Sequence, residues 1–293
     1  MMRTTIVTIM ILAIMTSCNF SKSVKKDFVS GVLTKGDGLS CENVYLSLND
    51  QETKQTTFVY GQKFRMEFDN IAGFKKENGN VYPGMQVIVL NNAGDTVLLA
   101  NDLYSEKTDG LNLSPLLLSA TVTAASPINS GGEYILYVNI WDKKEKGTFT
   151  GQMNFKVVPN DLFTVEANKV TFDEIYLFSL ERGIVIPDNK IKFNENIYLI
   201  LEGVTGFKEE TGMVFPGLSL KASDDANNVI LDNDDLFADY NESGLSLLDL
   251  HSQVSTHFLL NAGELKNPMH CELVLWDKKS DARLTVKTDL IVE

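Results

Sequence analysis

The sequence is short of the residues that most enzymatic chemistry needs. Of 293 residues three are histidines, and His251, His257 and His270 all fall in its second half. Histidine is the side chain that changes charge near neutral pH. No HExxH or HxH spacing joins these three, which excludes the familiar zinc-hydrolase motifs. Three cysteines (Cys18, Cys41 and Cys271) are too few for a disulfide framework. The glycine signatures are incomplete as well. Gly217-Leu218-Ser219-Leu220-Lys221 lacks the closing glycine of a nucleophile elbow. Neither Gly206 nor Gly212 leads into Lys-Ser or Lys-Thr, so no phosphate loop is present, and Gly36-Asp37-Gly38 lacks the third glycine of a dinucleotide motif. Positive charge is scarce too: 26 Lys and Arg stand against 39 Asp and Glu, a net charge of −13. Such a chain repels a polyphosphate, so nucleic acid is not an expected partner. Low-complexity stretches and long like-charge runs are missing, as expected of a folded chain.

What is present begins with an address. Thr4 to Met15 is an apolar run of about a dozen residues behind Arg3. A membrane span needs roughly 20 residues, so this length suits a signal-peptide core instead. Beyond Cys18 no other run approaches membrane length. The segment Met15-Thr16-Ser17-Cys18 resembles the lipobox of bacterial lipoproteins, with Met15 standing where Leu, Val or Ile is usual. The resemblance implies a signal peptide over residues 1–17, diacylglyceryl on the Cys18 sulfur and a lipidated tether over 18–27. It also implies attachment to the outer membrane, facing the periplasm, with surface exposure as the alternative. The rival is an ordinary cleaved signal peptide with an incidental cysteine. Two acyl chains anchor stably without a spanning helix. That anchor would overcome the −14 charge left once residues 1–17 are removed.

The strongest internal signal is a repeat. Gly73 opens GFKKENGNVYPG and Gly206 opens GFKEETGMVFPG, an offset of 133. The same offset carries Asp102-Leu103 onto Asp235-Leu236, and an offset of 135 carries Trp141-Asp142-Lys143-Lys144 onto Trp276-Asp277-Lys278-Lys279. Two homologous units over 28–158 and 161–293 follow, each of ordinary domain size.

Within each unit the periodicity favours strands. Phe64, Met66 and Phe68 alternate with Arg65, Glu67 and Asp69, the period of a half-buried strand. Tyr134 to Trp141 and Glu272 to Trp276 are rich in aromatic and branched residues. Each precedes Asp-Lys-Lys and a second alternating stretch, which predicts an antiparallel hairpin closing each unit. Helical periodicity is weak, and a short helix or 3₁₀ turn is expected only within Asp109–Leu118 and Gly244–Ser252. The expected fold is therefore all-β: two tandem antiparallel β-sandwiches of immunoglobulin-like or related Greek-key type. The pattern looks like that of uncharacterised tandem-sandwich lipoproteins of Bacteroidota, a resemblance that implies no activity.

Candidate sites are few. Asp232, Asp234 and Asp235 cluster oxygens of the kind calcium prefers. As an EF-hand the segment fails, because Leu236 and Phe237 stand where a ligand and a glycine belong. Apart from that cation no cofactor is indicated. Asp102 and Asp235, shared by both units, read as turn or capping residues. The repeated aromatics Phe74/Phe207, Tyr82/Phe215 and Trp141/Trp276 read as packing, with sugar stacking as the alternative. Cys271 aligns with Leu136, an apolar strand position, and a disulfide to Cys41 is the rival reading. Asp95-Thr96-Val97 is similar to the O-glycosylation acceptor of Bacteroidota periplasmic proteins. The functional expectation is a non-enzymatic envelope lipoprotein that binds a protein partner or assembles with one. An accessory glycan-binding lipoprotein and a carboxylate-dependent hydrolase are the alternatives.

Overall fold

The computed structural model describes residues 22–26 and 31–293. The signal peptide and the acylated Cys18 expected from the sequence lie outside the described residues. Part of the expected tether does not: Lys22–Lys26 forms strand β1, paired antiparallel with β2 (Leu33–Asp37). Its five side chains are all exposed, so β1 is held by its ladder rather than by burial.

The first unit continues with β3 (Ser40–Leu48), β4 (Gln51–Thr53), β5 (Thr57–Val59), β6 (Lys63–Ala72), β7 (Pro83–Asn91) and β8 (Thr96–Ala100). It closes with β9 (Leu118–Thr123), β10 (Glu133–Asp142) and β11 (Thr148–Val158). One sheet runs β1-β2-β11-β10-β7-β8, with β5 parallel to β11; the other runs β4-β3-β6-β9. The chain changes sheet between β2 and β3, β4 and β5, β5 and β6, β6 and β7, β8 and β9, and β9 and β10. A Greek-key sandwich of immunoglobulin type results.

The second unit repeats this order. Its strands are β12 (Thr164–Asn168), β13 (Glu174–Ser179), β14 (Ile184–Ile186), β15 (Lys190–Ile191), β16 (Asn196–Glu202) and β17 (Met213–Val214). They continue with β18 (Pro216–Asp224), β19 (Val229–Asn233), β20 (Leu245–Ser246), β21 (Val254–Leu259), β22 (Met269–Asp277) and β23 (Arg283–Val292). The sheets run β12-β23-β22-β18-β19, with β15 parallel to β23, and β14-β13-β16-β21. Helix α2 (Leu247–Ser252) falls within the segment 244–252 where a short helix was expected, and helix α1 (Tyr240–Ser243) lies just before it. Residues 109–117 of the first unit form turns instead. Leu111 is drawn out of helical geometry by its bridge to Val81, and Pro115 has no N–H to give a helix. Among the described residues no helix is long and apolar enough to cross a membrane, which says nothing of β-barrels.

Burial follows the alternation. Phe64, Met66 and Phe68 are fully buried, and the two cores draw on separate stretches, Val32 to Val157 and Val170 to Val292. Cys41 and Cys271 are free thiols, Cys41 against the first core and Cys271 within the second.

The repeated motif builds the same corner twice. Asp102 Oδ1 accepts from the backbone N–H groups of Met85 and Tyr104, and its Oδ2 pairs with Lys143 at 2.7 Å. Asp235 accepts from Leu218 and Phe237 and pairs with Lys278 at 2.7 Å. Burial alone would raise both carboxyls; the lysine and the two N–H groups outweigh it and hold each below the usual range. The neighbouring Asp142 and Asp277 are buried and tie Lys75 and Lys144, or Lys208 and Lys279, by their backbone N–H groups. Trp141 and Trp276 lie flat over Gly84 and Gly217, where a Cβ would enter the indole ring. The retained sequence is therefore retained scaffold.

The units meet at the far end of the first sandwich. Tyr60 and Tyr176 both donate to Glu202, at 2.6 and 2.7 Å, and the Ser130 N–H donates to Glu174 Oε1 at 2.9 Å. Glu174 and Glu202 are cross-strand partners on β13 and β16. Glu174 is 3% exposed and its Oε2 has no hydrogen-bond partner. Burial, set against the Ser130 bond and joined by the charge of Glu202, pushes its carboxyl above the ordinary value. Val185 sits against Gly61, leaving no room for a Cβ there.

Candidate binding faces

The outer surface of the larger sheet is where the two copies part company. In the first unit, pairing places Leu99, Ile88, Tyr137 and Gln152 side by side across β8, β7, β10 and β11. Leu90 and Ile135 form the next row. Leu99 is 54% exposed and the others are half-buried, pointing away from the core. Here alternation puts apolar residues on both faces of the strands, so one face is left for water or a partner.

The homologous row of the second unit is Asp232, Lys221, Glu272 and Lys287. Lys221 pairs with Asp232 at 2.9 Å, and Lys287 with Glu272 at 3.3 Å. In the next row His270 bonds Asp289 at 2.7 Å and lies 3.6 Å from Asp225. The Asp289 bond, opposed by weak desolvation, raises the imidazole above its usual range. The shallow hollow on this face, about 410 Å³, is lined mostly by charged and small side chains, with Val229 and Leu231 among them.

The three aspartates singled out from sequence do not converge. Asp232 and Asp234 share Lys221, at 2.9 and 2.7 Å, whereas Asp235 belongs to the corner and Lys278. Among the described residues no group of three or more His, Cys, Asp or Glu is placed to hold a metal ion. His257 stacks on Tyr198 with ring centroids 5.0 Å apart, and His251 borders an apolar hollow with Phe207, Leu247 and Leu248. Two neighbouring acids of the second unit, Glu174 and Glu202, do lie at the junction of the units. They are covered by Tyr60, Tyr176 and Ser130 rather than opened onto a cleft. Of the repeated aromatics, Phe207 is buried, Phe74 packs on the first core, and Lys144 and Lys279 cap the rings of Tyr82 and Phe215. Thr96 of the acceptor-like triplet is exposed at the start of β8.

The apolar row escaped the sequence reading because single-chain alternation does not tell an outer apolar residue from an inner one. Comparing the copies at offsets of 133 and 135 would have found it: Ile88 falls on Lys221, and Tyr137 on Glu272.

No family model matches the chain, and no curated protein matches it. Among solved structures it is similar to the D1-D4 ectodomain fragment of ICAM-5, with 8% identity, a TM-score of 0.23, and coverage of 89% of this chain and 60% of that one. This chain thus spans about three-fifths of that fragment. A DUF3823 family protein from Bacteroides ovatus ATCC 8483 has 13% identity, a TM-score of 0.21, and coverage of 73% of this chain and 91% of its own. A calcium-binding mutant of Bacteroides uniformis beta-glucuronidase 2 has 10% identity, a TM-score of 0.24, and coverage of 86% and 32%. Likeness at this level carries no argument, and the architecture rests on the strand pairing itself.

Proposed function

We propose that the chain is a non-catalytic envelope lipoprotein, anchored through Cys18, that binds a protein partner with the apolar outer row of its first sandwich. One observation carries this: Leu99, Ile88 and Tyr137 face outward where the second copy has Asp232, Lys221 and Glu272. A row of two aliphatic side chains and one half-buried tyrosine, flanked by the Gln152 amide, suits a protein surface better than a sugar. Sugar platforms present open rings, and among the exposed large hydrophobic residues described Tyr240 is the single aromatic.

The test is cross-linked capture of the natively lipidated protein from envelope, read by mass spectrometry, with Ile88→Lys and Tyr137→Glu introduced together. Both side chains point outward and both replacements copy the second unit, so folding should survive. Partner proteins lost in this variant support the reading. A partner set unchanged by it, or only polysaccharide recovered, sinks it.

A further inference from the structure

The first sandwich has two ends, and β1, the described strand that follows Cys18 in sequence, starts at one of them. Lys22 of β1 pairs with Asp37, which is in register with Thr148 at the start of β11. The contact with the second unit is at the other end of β11, where the Tyr60 N–H donates to the carbonyl of Val158. The two ends are separated by the length of β11, roughly 33 Å at about 3.3 Å per residue. Four residues lie along the chain from Cys18 to Lys22, at most roughly 14 Å when fully extended.

From this we infer that the end of the first sandwich carrying the loops 73–82, 101–117 and 143–147 lies against the membrane, with Leu103 and Leu113 touching the lipid surface. The inference rests on acylation of Cys18. Two further observations support it. Leu103 and Leu113 are 47% and 54% exposed at this end, with no core to cover them. The charge here is locally cancelled: Asp37, Glu77, Asp102 and Glu145 each pair with a lysine, namely Lys22, Lys144, Lys143 and Lys75. A chain of charge −14 would otherwise be pushed off an anionic surface. The second sandwich supplies an internal control. Its Leu236, in a loop, and Leu248, on α2, are exposed in the corresponding segments of a unit held a strand's length away from the anchor.

The experiment is hydroxyl-radical footprinting of the full lipidated protein, in detergent and in vesicles of phosphatidylethanolamine and phosphatidylglycerol, preceded by flotation of those vesicles. Oxidation of Leu103 and Leu113 should fall several-fold in vesicles, while Leu236 and Leu248 keep their detergent values. Protein that floats with all four leucines equally oxidised in both media overturns the membrane-facing end and leaves the anchor standing. Protein that does not float overturns the anchor and, with it, this orientation.

Discussion

Replacing Glu174 by glutamine should stabilise the protein, although it removes a charged group that already makes a hydrogen bond. The carboxyl is 3% exposed, and only Oε1 is satisfied, by the Ser130 N–H. Leaving a buried acceptor unpaired costs about 1–3 kcal/mol, and more when it is charged. The glutamine side chain would keep the Ser130 bond through its carbonyl oxygen and place a neutral NH2 where Oε2 now faces the negative field of Glu202. We expect a gain of about 1–2 kcal/mol at pH 8, seen as a rise of several degrees in Tm. The pH dependence fixes the sign. The folded carboxyl titrates above its ordinary value of 4.5, so it binds its proton more tightly in the native state. Its favourable contribution is complete below the unfolded pKa and is lost as the pH rises through the folded one. The gap between Glu174→Gln and the wild type should therefore be near zero at pH 4 and widen towards pH 8. Glu202→Gln should do the reverse at pH 8 and cost about 1–2 kcal/mol, because each of its two oxygens accepts a tyrosine hydroxyl and the amide NH2 that replaces one of them cannot accept. Thermal unfolding of the three proteins from pH 4 to 8 measures both. A lower Tm for Glu174→Gln at pH 8, or a gap independent of pH, would refute this account of the junction.

Two further outcomes follow from packing. Gly84→Ala and Gly217→Ala each drive a methyl into an indole ring held by the corner network, and each should cost about 1–3 kcal/mol in urea unfolding; a neutral result would mean that Trp141 or Trp276 swings away freely. Burial pushes the thiols of Cys41 and Cys271 up to about 12, so iodoacetamide at pH 8 should label both slowly in the native protein and fully in denaturant. Labelling of native Cys41 at the rate of a free thiol would show that its bonds to the carbonyls of Asn43 and Asp69 do not form.

How far the sequence could be read depended on whether a pattern was local. Phe64, Met66 and Phe68 announce an inward strand face because a period of two is visible in one stretch, and the hairpins ending in Trp141 and Trp276 were equally plain. The role of Asp102 and Asp235 was half legible. Their place after β8 and β19 suggested a turn, but Lys143 and Lys278, which complete the corner, come from the turns after β10 and β22, 41 and 43 residues further on. A short helix or 3₁₀ turn was expected within 109–118 although helical periodicity there is weak, and the bridge from Leu111 to Val81 is a tertiary contact no window detects. The apolar row and the Glu174–Glu202 pair show in no single stretch for the same reason: each is assembled by cross-strand register between distant segments.

The doubled corner also bears on how this protein can change. Because Asp102, Lys143, Asp142 and Trp141 secure the loop end in one copy, and Asp235, Lys278, Asp277 and Trp276 in the other, each sandwich holds its shape without help from its outer surface. The outward positions of β7, β8 and β10 are thereby released to drift, and duplication supplies a second surface on which drift carries no penalty for the first. One ancestral scaffold can in this way present two unrelated surfaces, and a new specificity can be written onto either by exchanging a handful of side chains along a single row.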